Sequence, residues 1–327
     1  QEAIDRWVRH ELGENSPSDV GGKALDVDGD GWVDFVAGGA WYRNTGKPCT
    51  EPFERIVFDS QLAGVHDLVV ADVDGDGRPD ILTMSDKNNL RWYKIPADPT
   101  LPWLRHDVGP AVHAGASAGD IDGDGHLDLV RTDIWFQNVR GDGTAWAAHP
   151  IGPNTPPPPD FQPYFAFNAP HSVVCDMNRD GRNDIVFTDA EIPGGKIWWM
   201  ENADGQGRSW IRHEVAGPVR GEPRRGAYHS LYVGDLDGDL KDELVIADDI
   251  DRIFIYKCLS LPCNEANPPD MDFLIQPFNN WDKLALGNVD DDPQKEMIIA
   301  HAGKVTLRNG DGTPAGVKFS MPFSAED

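Results

Sequence analysis

Basic charge is scarce in this chain. Its 327 residues carry 29 Lys and Arg against 55 Asp and Glu, a formal net charge of −26. A phosphate backbone is bound by cationic side chains that displace its counterions, so nucleic acid is a poor partner for this chain. Long apolar runs are missing too. No stretch of 18 apolar residues occurs, so nothing in the sequence reads as a membrane-spanning helix. No 12-residue window carries an apolar stripe at the 3.6-residue period, so helices do not compete with strands. No His-Glu-x-x-His, P-loop or dinucleotide-binding fingerprint appears. Cysteine is limited to four residues. Cys258 and Cys263 bracket a short Leu-Ser-Leu-Pro loop and suit a disulfide, whereas Cys175 sits in an apolar strand and reads as a buried free thiol.

What the chain does have is one acidic phrase written six times. Each copy precedes a short apolar strand, and the first reads Asp26-Val-Asp-Gly-Asp-Gly-Trp-Val-Asp34. Positions 1, 3, 5 and 9 carry oxygen side chains on a tight glycine-containing turn. That donor set suits a hard cation, and calcium takes six to eight oxygens at flexible geometry. The candidate ligands are Asp26, Asp28, Asp30 and Asp34 in the first copy, and Asp72, Asp74, Asp76 and Asp80 in the second. The third offers Asp120, Asp122, Asp124 and Asp128, and the fourth Asp176, Asn178, Asp180 and Asp184. The fifth has Asp235, Asp237, Asp239 and Glu243, and the sixth Asn288, Asp290, Asp292 and Glu296. Much of the acidity is therefore a metal signature. Weak multi-site calcium loops belong where calcium is abundant, so a secreted or periplasmic home is expected. The chain starts at Gln1 without a leader, which fits a processed secreted chain, although a trimmed chain reads the same.

Successive copies begin 46, 48, 56, 59 and 53 residues apart. Each unit reads as four short strands. In the second unit they are expected at 67–72, 80–84, 90–95 and 103–108, alternating β-branched or aromatic residues with polar ones. Four strands per unit of this length make the blade of a β-propeller. The expected fold is all-β, a single propeller domain over residues 1–327, with blades starting near 20, 66, 113, 170, 229 and 282. Outer strands carry a Trp-x-x-His phrase, as in Trp103 to His106, Trp146 to His149 and Trp210 to His213. Trp7 to His10 repeats it at the start, so a strand at 5–12 is expected to close the last blade. The count is six blades; a seventh, built around 317–323, stays open.

The Asp-x-Asp-Gly-Asp-Gly-x-x-Asp loops, followed by strands such as Asp80-Ile-Leu and Asp128-Leu-Val, resemble FG-GAP/VCBS repeats. Repeats of this kind occur in integrin α-subunit propellers, some fungal lectins and the propeller of aldos-2-ulose dehydratase. The resemblance covers nearly the whole chain and implies the propeller and its calcium. For activity it implies adhesion, sugar binding or lyase chemistry alike, because one fold hosts many functions.

Four successive units place a histidine where the first strand begins: His66, His113, His171 and His229. First strands line a propeller's channel, so these imidazoles are candidate ligands for zinc or another divalent transition metal. They precede the loop by 6, 7, 5 and 6 residues, and a β-bulge can absorb such a slip. A metal there would polarise a carbonyl or carboxylate and acidify the neighbouring C–H. Tyr228, His301 and Tyr164 are candidate bases for the β-elimination that follows, and Arg224 and Arg225 could grip a substrate carboxylate. The first expectation is thus a carbohydrate lyase or dehydratase. The alternative is a calcium-stabilised lectin or adhesion module without catalysis. Trp41, Trp92, Trp135 and Trp198 on third strands could face sugar rings or pack between blades. His10, His106, His149 and His213 read as structural.

Overall fold

The computed structural model describes residues 22–47, 50–85, 87–111, 114–132, 134–152, 170–189, 196–216, 230–236, 238, 243–247, 252–257, 270–275, 283–288, 294–301 and 304–309. Every regular element among them is a β-strand. The first sheet contains β1 (Gly22–Leu25), β2 (Asp34–Ala37), β3 (Ala40–Arg43) and β4 (Glu54–Val57). The second contains β5 (Val65–Ala71), β6 (Asp80–Ser85), β7 (Leu90–Lys94) and β8 (Leu104–Gly109). The third contains β9 (Ala116–Gly119), β10 (Asp128–Arg131), β11 (Ile134–Asn138) and β12 (Trp146–Pro150). The fourth contains β13 (Pro170–Cys175), β14 (Asp184–Asp189), β15 (Ile197–Asn202) and β16 (Trp210–Ala216). The fifth contains β17 (Ser230–Gly234), β18 (Glu243–Ala247), β19 (Arg252–Lys257) and β20 (Asp270–Ile275). Last come β21 (Lys283–Gly287), β22 (Glu296–His301) and β23 (Lys304–Arg308).

In each sheet the strands follow one another in chain order. These are propeller blades, so the fold is an all-β β-propeller with four-stranded blades. The count differs from the sequence expectation. The described residues form five four-stranded blades, and the last sheet has three strands. The closing strand expected at 5–12 and the segment 317–323 lie outside the described residues. The expected strands of the second unit match the observed ones to within two residues.

The chain divides into two compact units. One comprises Val8–Phe187 with Trp198–Glu214; the other comprises Gln1–Trp7, Thr188–Ile197 and Val215–Asp327. Within the first, β1 lies beside β5, β5 beside β9, and β9 beside β13; within the second, β17 lies beside β21. First strands therefore meet first strands, as blades do around an axis.

Burial explains the strand sequences. β6 and β10 are buried at every position, because a second strand has a neighbouring blade on each face. They read as continuous apolar runs. β4 and β8 are outer strands and are largely exposed. The cores are layers between blades. Trp41 and Val36 of the first blade meet Leu68, Ile81 and Tyr93 of the second. Leu82 and Trp92 meet Leu129 and Phe136, and Val130 and Trp135 meet Ile185 and Met200. In the other unit Val245 and Ile255 meet Leu284 and Ile299.

The third-strand tryptophans belong to these layers. Trp41, Trp92 and Trp135 are at most 1 % exposed, so they offer no face to a sugar, and Trp198 is buried with the Arg212 guanidinium 4.5 Å above its ring. Trp92, Trp135 and Trp199 stack on His106, His149 and His213 with ring centres 4.3, 4.6 and 4.3 Å apart. Those histidines are structural, as their sequence positions suggested; His10 lies outside the described residues. Trp92 Nε1 donates to the Gly143 carbonyl of the next blade, and Trp135 Nε1 to that of Gly207, each at 3.0 Å.

Candidate functional site

Each of the first four acidic loops leaves the end of a first strand and turns on glycine. Gly29 and Gly31 have φ of +73° and +90°, a region that costs glycine nothing. The first carboxylate organises the turn. Asp26 accepts from the backbone N–H groups of Gly29, Asp30 and Gly31 at 2.8–3.1 Å. Asp72, Asp120 and Asp176 accept equivalently from Gly77, Gly125 and Gly181 at 2.8–2.9 Å. In the fourth loop Arg179 takes the left-handed conformation, φ +61°, that glycine holds elsewhere. A non-glycine residue there stores local strain of about 1 kcal/mol.

The ninth-position carboxylate is the buried anchor. Asp34, Asp80, Asp128, Asp184, Glu243 and Glu296 are all nearly inaccessible. One oxygen accepts from the second loop residue, at 3.0 Å for Val27 and Asp34 and 2.8 Å for Leu236 and Glu243. The other accepts from the asparagine that ends the third strand or directly follows it, at 2.7–2.8 Å for Asn44, Asn138 and Asn202. Burial pushes Asp80, Asp128 and Asp184 up to about 7, and raises Asp34 as well.

Among the described residues, three acidic sets bring one oxygen from each member within 4.8 Å of the others. They are Asp26, Asp28 and Asp34; Asp72, Asp74 and Asp80; and Asp120, Asp122 and Asp128. The structure thus unites positions 1, 3 and 9. It does not include position 5. Asp30, Asp76 and Asp124 each accept from the backbone N–H two residues on, at 2.8–3.0 Å. In the fourth loop Asn178 donates to Asp180 at 2.9 Å, and Asp180 also pairs with Arg182. Asp237, Asp239, Asp290 and Asp292 lie outside the described residues, while Asp235 accepts from Gly238 N at 2.7 Å and Asn288 directly follows β21.

These residues fit a hard divalent cation. Each set is all-oxygen and, once ionised, places three negative charges around one point. Asp28 Oδ2 is buried yet accepts no hydrogen bond; Arg43 Nε stands 2.7 Å away, off the hydrogen-bonding line.

At the other end of the blades, His66 sits at a bulge: Val65 pairs with Ser85 and Asp67 with Met84, leaving His66 between them. The segment before it is held by Ser85 Oγ on Ala63 O and by Ala63 N on Asn88 Oδ1, at 2.5 and 3.1 Å. Asp67 reaches the next blade and accepts from Gly115 and Ala116 N. Ser117 and Ser172 bond each other at 2.8 Å across the following pair. His171 is half-buried in β13, beside Ser172. Neither His66 nor His171 belongs to a three-ligand set among the described residues. His113, His229, Tyr164, Tyr228, Arg224 and Arg225 lie outside the described residues, as do Cys258 and Cys263. His301 ends β22 and pairs with Lys304 in the hairpin. Cys175 is buried at the end of β13. The stretch Gly115-Ala-Ser117-Ala-Gly119 has the spacing of a hydrolase nucleophile elbow. Ser117 lies in extended β9 and is bonded to Ser172, so it is no strand-to-helix nucleophile.

Sequence reasoning missed the asparagines. Asn138 Nδ2 donates to Val73 O of the preceding blade's loop at 2.9 Å, and Asn202 Nδ2 to Ile121 O at 2.7 Å. Their Oδ1 atoms accept from Gly143 and Gly207 N. The signal was visible as an Asn closing three of the third strands.

Repeated acidic loops on four-stranded blades define a repeat propeller. The family described as FG-GAP-like repeat matches residues 26–83, 72–130 and 176–246. The chain belongs to that family. Among solved structures it is similar to a lectin of Agrocybe aegerita that recognises non-reducing terminal N-acetylglucosamine. That match has a TM-score of 0.60 at 18 % identity and covers 92 % of this chain and 80 % of the lectin. A Bacillus licheniformis rhamnogalacturonan lyase aligns over 88 % of this chain and 58 % of its own, with 15 % identity and a TM-score of 0.43. No curated protein sequence matches the chain.

Proposed function

We propose that this protein is a calcium-stiffened carbohydrate-binding propeller. The observation that carries the calcium is the convergence of three carboxylates, one of them buried, in three successive loops. Asp26, Asp28 and Asp34, and their counterparts in the second and third loops, would hold the ions. Calcium neutralises carboxylates that burial otherwise drives toward protonation, and it fixes the turn between the first two strands. The likeness to an N-acetylglucosamine-recognising lectin supports a sugar as the ligand. Six blades, closed by the strand at 5–12, remain part of this reading, as does secretion or a periplasmic home. Glycan-array binding at low-millimolar calcium, abolished by a chelator and restored by calcium, is the expected result. Absence of glycan binding in the calcium-loaded protein overturns the sugar ligand.

A second reading keeps the lyase at the strand starts, and the bulge at His66 favours it. A stoichiometric zinc or other transition metal in elemental analysis is its expected mark. The His66→Ala/His171→Ala double variant should fold and lose that metal. Calcium alone, with no other metal at stoichiometry, removes this reading.

A further inference from the structure

We infer that one third-strand side chain in each blade sets how tightly that blade's loop holds its cation. The inference rests on the calcium reading above. The position is the residue facing the buried ninth-position carboxylate. Tyr42 pairs with Phe35, so the next residue, Arg43, faces Asp34. By the same count Lys94 faces Asp80, and Gln137 faces Asp128. In the fourth blade Glu201 holds the position, immediately before Asn202, whose N–H bonds Asp184.

The first three of these side chains reach toward the loop's third position with different charge. Arg43 lies against Asp28. Lys94 bonds both Asp74 and Asp76, the latter at 2.7 Å. Gln137 Nε2 donates to Asp122 at 2.5 Å without neutralising it, and its Oε1 is 3.4 Å from His149. The fourth blade inverts the arrangement. Its third loop position is the neutral Asn178, and the third strand supplies the acid, Glu201, 2.7 Å from His213.

A side-chain cation on the third-position carboxylate competes with a metal ion twice. It must give up its ion pair, and in the case of Lys94 its hydrogen bonds, before the oxygen is available, and afterwards it stands near a divalent ion as a like charge. Unit and double charges about 5 Å apart in a water-like dielectric repel enough to change affinity roughly tenfold. The amide of Gln137 does neither. The third loop is therefore the tight site, and the first and second loops are weak sites with a built-in counter-ion. Lys94 and Arg43 keep those loops folded when calcium is low.

Calorimetric calcium titration of the full chain tests this. Asp74→Asn identifies the second loop's contribution by removing it. Lys94→Gln should tighten that contribution about tenfold, Gln137→Lys should weaken the third loop about tenfold, and Lys94→Arg should leave affinity within about twofold. Arg43→Gln repeats the test in the first blade should Lys94→Gln fail to fold. Calcium binding with all affinities unmoved by the charge changes, or moved the opposite way, overturns the inference while leaving the calcium reading intact. No calcium uptake by the unaltered protein overturns both.

Discussion

Transfer from millimolar calcium into a chelator is expected to lower the Tm on the order of 15 °C. An ion held at a hundred times its dissociation constant stabilises the folded state by about 2.7 kcal/mol per site. Three loops bring their carboxylates together, and each kcal/mol is worth about 2–4 °C in a chain of this size. Differential scanning calorimetry with and without chelator measures the shift, and added magnesium is the control for simple charge screening. An unchanged Tm would mean that the loops hold no ion that matters to folding. The chelated protein should also respond to pH in a defined sense. Burial raises Asp80, Asp128 and Asp184 from 3.8 to about 7. Between those values the folded chain keeps protons that the unfolded chain has released. Stability without calcium therefore falls as pH rises through that window, and is greatest below it. Calcium favours the ionised carboxylates, so the loaded protein should lose this decline.

The blades were legible in the sequence because two local patterns coincide in them. The acidic turn marks where a first strand ends, and the apolar run after it marks a strand buried on both faces. Asp80–Ser85 and Asp128–Arg131 show both. The approach of positions 1, 3 and 9 to one another was legible for the same reason. The direction Asp76 takes was not: Lys94, on a strand 18 residues away, bonds it, and the loop's spacing does not encode that. The tryptophans stayed open for a related reason. A third-strand Trp could face a sugar or pack between blades when a blade is read alone, and the neighbouring blade's turn, which accepts from Trp92 and Trp135, decides for packing. The glycine at the loop's fourth position is a strong local signal, yet Arg179 adopts the same conformation without it. Hydrogen bonds that Asp176 accepts from the backbone N–H groups of Asp180 and Gly181 hold that turn. The histidine alignment could be read at only two of its four members, His66 and His171. The bulge at His66 is the kind of irregularity that strand periodicity does not encode.

Replacement of Asn202 by alanine should destabilise the protein by about 3–4 kcal/mol, more than most single truncations of a polar residue. Asn202 is fully buried. Its side chain makes three hydrogen bonds to backbone groups across two blades, and its backbone N–H makes a fourth. Nδ2 donates to Ile121 O at 2.7 Å and to Asn183 O at 3.1 Å, while Oδ1 accepts from Gly207 N at 2.9 Å. Its own N–H holds Asp184. Alanine keeps that last bond and deletes the other three. The Ile121 carbonyl and the Gly207 N–H are then left buried, each costing about 1–3 kcal/mol. Gly207 also presents the carbonyl to which Trp135 and Trp210 both donate, at 3.0 and 2.9 Å. Loosening its turn therefore loosens the layer between the third and fourth blades. Asn202→Asp is expected to be worse, because it places a carboxylate oxygen against the Ile121 carbonyl in the space beside Asp184. Asn44→Ala is the milder comparison: among the described residues Asn44 Nδ2 bonds Val33 O within its own blade. Urea unfolding of the three variants in saturating calcium ranks them as Asp at 202 below Ala at 202 below Ala at 44. Equal losses at 44 and 202 would show that the inter-blade bond contributes nothing beyond the turn it caps.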